Sequence, residues 1–342
     1  MSLSLIPEDI YYDYILPHII KPPMKLLDWI DINKLSWHGL SSNINAIDLL
    51  NEYPSKINWY NLSSNPSPEA IKLLKSTLSS NINKIHWRNL SSNENPDIIH
   101  LIKKNKKKCH WDYLSMNSSS GAIKLLTQNP NNINWTYLSA NPGAIELLKS
   151  TYGLTIGLNM MTKINWQFLS SNESAGELLK ENQDKIDWSA LSANTSNIAI
   201  EILQNNYEKI DWYCLSGNTN KMAIELLKLN LDKIDWYRLS ANTSAIDILK
   251  LNLDKIDWAR LSCNINAIEL LKQNFDKKRY YFDWNRLSGN INAIELLKLT
   301  FELYPDKINW HHLSSNPNIF EIDHVKWRQH MEDFYHKYIN KN

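Results

Sequence analysis

The sequence predicts an all-α fold, an α-solenoid of about twelve two-helix repeats, and three observations carry that prediction. The phrase W-x-x-L-S-x-N occurs twelve times, headed by Trp37, Trp59, Trp87, Trp111, Trp135, Trp166, Trp188, Trp212, Trp236, Trp258, Trp284 and Trp310. Successive tryptophans are 22, 28, 24, 24, 31, 22, 24, 24, 22, 26 and 26 residues apart, so the unit is 22 residues and the excess belongs to loops. After each asparagine but the last runs an apolar stripe of helical spacing, as in Ala267, Ile268, Leu270 and Leu271, and after Asn316 the stripe dissolves.

Taken in order, residues 1–35 lack the pattern and are expected to form an N-terminal cap segment. Residues 36–318 form the repeat domain. Residues 319–342 are expected to form a C-terminal capping helix, because an end repeat has no outer neighbour and needs a polar face.

Each unit opens with a short helix A of one to two turns. The preceding Lys-Ile-Asp/Asn supplies its N-cap, Asp235 or Asn309 for example, and Ile234 with Leu239 has the spacing of a hydrophobic staple. The tryptophan is expected as a buried wedge between layers, the competing reading being a stacking platform for bases or sugars. The residue after Leu-Ser is small or unbranched in every copy, Met116 being the largest, which predicts a corner packed closely against a neighbour. The fixed Ser and Asn are expected to serve as caps and as a ladder of side-chain hydrogen bonds between layers.

Helix B, about ten residues long, is expected to start at that asparagine, since Asn65-Pro66, Asn141-Pro142 and Asn316-Pro317 pair a favoured N-cap with a favoured first-turn residue. Glu225 early and Lys228 late suit the helix dipole, and Asn230 or Asn252 is expected to end the helix in the left-handed conformation. One unit alone buries too little apolar surface to offset the entropy of ordering its backbone, so the copies must stack. At interaxial distances of roughly 8–10 Å, twelve layers predict a curved rod on the order of 100 Å long.

Composition narrows the function. Thirty-seven basic against thirty-six acidic residues leave a net charge of +1, so no whole-molecule field draws the chain to nucleic acid or anionic lipid. A mean hydropathy of −0.43, without an apolar run of roughly 18 residues, argues against a membrane span. The N-terminus lacks the basic flank of a secretory signal, and Cys109, Cys214 and Cys263 have no pairing or metal-ligand spacing, so a cytoplasmic setting is expected. His324, His330 and His336 lack ligand spacing as well, there is no Gly-rich phosphate loop, and no His or acid recurs beside the fixed Ser. No catalytic residue, metal or cofactor is expected.

Recognition is expected at positions freed from the pattern, chiefly the two after each tryptophan. Candidate partner-binding residues are Tyr60, Arg88, Tyr113, Tyr137, Phe168, Tyr213, Tyr237, Arg238, Arg260 and Arg286, with His311 and His312 at the same positions; Tyr and Arg are the types enriched at interface hot spots. Lys103, Lys104, Lys106, Lys107 and Lys108 are candidate phosphate contacts, and Lys277, Lys278 and Arg279 form a weaker basic patch. A protein is the expected partner, nucleic acid the alternative.

The motif W-x-x-L-S-x-N-x-x-A-I-x-L-L-K-x-N resembles that of the tandem short-repeat proteins encoded in many copies by giant DNA viruses of amoebae, over roughly residues 30–318. The resemblance implies a viral protein made in the cytoplasm of an infected cell, and it brings no catalytic residues. Ile6 to Leu16 faintly resembles the opening of an F-box, which implies a second alternative, a substrate adaptor for a ubiquitin ligase.

Overall fold

The computed structural model describes residues 22–154 and 163–338. Eleven of the twelve repeats carry the expected helix pair and stack one on the next, while the last helix A leads into a 3-10 turn and a strand. Helix A runs from each tryptophan for four to six residues, as in Trp59–Leu62 and Trp37–Ser42. Its predicted caps are in place: an Asp235 carboxylate oxygen accepts from the Arg238 amide, and the Asn309 side chain accepts from the His312 amide. Helix B ranges from Gly176–Lys180 to Pro68–Ser80. Its inward stripe forms the core, with Ala223, Ile224 and Leu227 buried beside Leu215 and Leu239 of the helices A.

Three local expectations are corrected. Helix B starts three to four residues beyond the motif asparagine. Ser67 caps the helix after Asn65, while Asn141 and Asn316 each cap only a short 3-10 turn, because the motif asparagine is committed to the neighbouring layer. Asn230 and Asn252 end helix B at φ −137° and −136°, outside the left-handed region. They cap instead by side-chain donation to the carbonyls four residues back, Leu226 and Ile248, both at 2.8 Å. Between helix B and the next helix A most repeats insert a single 3-10 turn, such as Leu231–Lys233, which periodicity did not predict.

The fixed polar residues make the expected ladder, and its geometry is the same at every step. Each motif asparagine donates from Nδ2 to the carbonyl of the preceding repeat's asparagine, at 2.8–3.2 Å in all twelve copies. In eleven of them it also reaches the preceding serine's carbonyl. Each motif serine donates to the carbonyl of its own tryptophan at 2.6–2.9 Å. The same hydroxyl accepts the N–H of the next repeat's helix-A cap at 2.8–3.1 Å. Carbonyls at the end of helix A have no partner within the helix, and a side-chain amide has the two donors they require.

The ladder has no end, and this overturns the open rod. Asn43 of the first repeat donates to Ser314 and Asn316 of the last at 3.1 and 2.9 Å, and the Ser36 amide donates to Ser314 Oγ at 2.8 Å. The twelve layers therefore close into a ring. Gly39 lies at the seam, where a Cβ would come within 2.7 Å of Ser314 Cβ; this is a close approach that only glycine permits.

The flanking segments fasten the seam to one another. Strand β1 (Met24–Leu26) pairs antiparallel with strand β2 (Phe320–Ile322), placing Lys25 opposite Glu321 at 3.0 Å. A helix, His324–Tyr338, follows, so the region expected to be a capping helix begins with a strand. Lys326 on that helix reaches Glu52 of the first repeat at 3.1 Å.

Candidate functional site

The tryptophans are less deeply buried than a wedge requires. Only Trp87 and Trp258 are fully buried; the other ten motif indoles are half-buried and packed against the edge of the core. A lysine three residues before the next tryptophan covers the outer face in several copies, as Lys84 does over Trp59 at 5.1 Å, Lys185 over Trp166 at 4.9 Å and Lys233 over Trp212 at 5.5 Å. Lys34 does the same for Trp310 across the seam at 5.2 Å. Such cation–ring contacts spend the faces that a stacking platform for ligands would need. The Lys-Ile-Asp/Asn-Trp phrase carries the signal for this arrangement.

The variable side chains lie along the solvent edge of the helices A. Tyr60, Tyr213 and Tyr237 are about half exposed, Phe168 and Arg88 are exposed, and Tyr113, Tyr137, Arg238, Arg260 and Arg286 are half-buried. Adjacent layers pair off along this edge. Arg88 lies over Tyr113 at 4.3 Å, Arg238 over Tyr213 at 4.7 Å and Arg260 over Tyr237 at 4.5 Å. Tyr60 meets His86 at 4.3 Å, Asn89 Nδ2 donates to the Tyr60 carbonyl at 2.9 Å, and His38 stacks on His311 across the seam at 6.0 Å. In the three arginine–tyrosine pairs and the Asn89–Tyr60 bond the first position after one tryptophan meets the second position after the next, whereas His38 and His311 are both first positions.

The pairing also explains the small residue after Leu-Ser, which is exposed or half-buried in all twelve copies and not packed into a tight corner. A Cβ at Gly217 would meet Arg238 Nε at 3.5 Å, an ordinary contact, so the position has room for a methyl beneath the long side chain of the following layer. Arg286 is the exception among the arginines, held by Asp283 at 3.1 Å.

The basic runs differ from each other. Lys103 and Lys104 end a helix B, Lys106–Lys108 form the 3-10 turn after it, and all five are exposed. In the second patch Lys278 lies over Trp258 at 5.7 Å and Arg279 pairs with Asp276 at 3.4 Å, so two of its three charges are engaged. The F-box-like stretch, Ile6 to Leu16, lies outside the described residues. Pattern reading also missed an apolar strip at the ends of helices B, where Leu229 and Leu251 are 82% and 86% exposed in adjacent layers. Among the described residues no helix is long and apolar enough to cross a membrane, and no three His, Cys, Asp or Glu side chains converge to hold a metal.

Fold and edge together define a closed ring of helical repeats whose fixed residues join layers and whose variable residues face solvent. No family model, curated protein or solved structure matches the chain.

Proposed function

We propose that the chain is a non-enzymatic scaffold that binds a protein partner along the helix-A edge. One observation carries the reading: the motif serines and asparagines are consumed by the ladder, whereas Tyr60, Tyr213 and Tyr237 stand half exposed at positions the ladder does not use. Large aromatic side chains lose little conformational entropy on binding and anchor interfaces well. Likeness to the giant-virus arrays adds a setting, a viral factor acting on a host or virion protein in the host cytoplasm. Affinity purification from expressing cells should retain specific proteins on the wild-type chain and lose them when Tyr60, Tyr213 and Tyr237 are replaced by serine. Equal retention by both chains rejects the edge.

The five exposed lysines from Lys103 to Lys108 support a second reading, contact with nucleic-acid phosphate. That reading requires retention on nucleic acid at low salt that falls steeply as salt is raised. No retention at low salt removes it.

A further inference from the structure

Two of the edge arginines have a setting that the other candidates lack. Arg238 and Arg260 come from adjacent layers and line one groove of about 200 Å³ with Gly217, Thr219, Ala241 and Thr243. Each guanidinium rests on a tyrosine of the preceding layer, and each Nε is shut from water without an acceptor. Among the described residues neither makes an ion pair, although the equivalent Arg286 has Asp283. An arginine fork carries five N–H donors and no acceptor, and it matches the two oxygens of a carboxylate.

We propose that this groove binds an extended acidic segment of the protein partner, one carboxylate on Arg238 and the next on Arg260. The inference rests on the proposed partner-binding edge and names the chemistry that edge selects. Layer spacing sets the register. Stacked helices lie roughly 8–10 Å apart, and a segment in the extended polyproline II form rises about 3.1 Å per residue and returns to the same face every third residue, so the two acidic residues stand about three positions apart. The threonine hydroxyls of Thr219 and Thr243 flank the track and suit the backbone between them. A nucleic-acid strand fits less well: its phosphates continue at every nucleotide beyond the two arginines, while the helices A that supply this edge are capped by the carboxylates of Asp211, Asp235 and Asp257.

Panning a random short-peptide library against the full chain tests the proposal. The expected result is enrichment of peptides with Asp or Glu at positions i and i+3, bound at least about tenfold more weakly by the Arg238→Gln/Arg260→Gln chain at equal thermal stability. The Arg238→Lys/Arg260→Lys chain, which keeps charge but not the fork, should fall between the two. Enriched peptides without paired acids, insensitive to the arginine variants but lost on replacing Tyr213 and Tyr237 by serine, overturn the acidic segment and leave the partner edge standing. Peptides insensitive to both sets of variants, or no enrichment, overturn both.

Discussion

Asn242 does several jobs with one small side chain. Nδ2 donates to the carbonyls of Ser216 and Asn218 in the preceding layer at 3.0 and 2.8 Å, while Oδ1 accepts the Ser244 amide at 2.9 Å. It is 3% exposed, so water cannot replace these bonds. Asn242→Ala should therefore destabilise the chain by about 2–4 kcal/mol, from several lost bonds and stranded buried groups, measured by denaturant unfolding. A second residue-scale prediction concerns Cys109, whose thiol burial pushes up from 9.0 to about 11. The folded form then holds a proton that the unfolded thiol releases, so this group takes stability away as pH rises from 9.0 towards 11 and has no effect below that window. Cys109→Ser should flatten that part of the stability profile, and the native thiol should alkylate more slowly at pH 9 than the thiol of the unfolded chain. At this scale the sequence was legible where a side chain acts locally, as with the Asp235 cap. The motif asparagine reads as the cap of helix B, since its identity alone does not say which layer supplies the carbonyls.

The one-turn connection from helix B to helix A shows the same limit at the scale of an element. Its first residue is Pro54, Pro130 or Pro305 in three repeats, Leu231 in another and Arg279 in a fifth, so no residue type marks it. What recurs is backbone, the Arg279 turn excepted, where Lys278 sits at φ −121° ψ −7°. The residue before the turn sits at φ −125° ψ 61° for Tyr53, −137° and 59° for Asn129 and −137° and 54° for Asn230. Leu231→Pro should accordingly be accepted without strain and stabilise the chain by about 0.4–1 kcal/mol through the unfolded state. Leu231 is already 45% exposed, so little packing is lost, and calorimetry of the single variant checks the sign. A drop in melting temperature would show that the Leu231 turn differs from its proline-bearing counterparts.

Closure belongs to the whole molecule and was not legible. Repeat length, helix faces and layer order can be read from twelve tryptophans, but a ring depends on a small rotation per layer summed over every layer, and no single position encodes that sum. The open rod followed from treating the end segments as caps, whereas β1 and β2 join each other across the seam. Deleting one whole repeat, residues 236–257, leaves every remaining layer able to stack yet one step short of a full turn. The expected product is folded but open at the seam, with a larger radius in solution scattering. Hydrogen exchange at the Ser36 amide should accelerate while exchange at the Asn134 amide keeps its protection. A closed ring in that variant would mean that the remaining layers can share the missing rotation.

An open array lengthens or shortens freely, because each added copy meets the same neighbour as the last. Here the stretches beginning at Lys233 and Lys255 share 14 of 22 residues, so one such copy is the natural unit by which the array would grow. A thirteenth unit must nevertheless displace Asn43 from Asn316, a contact that every other layer depends on only indirectly. Closure thus ties the number of copies to the ring, whereas the side chains between the fixed positions can change one copy at a time.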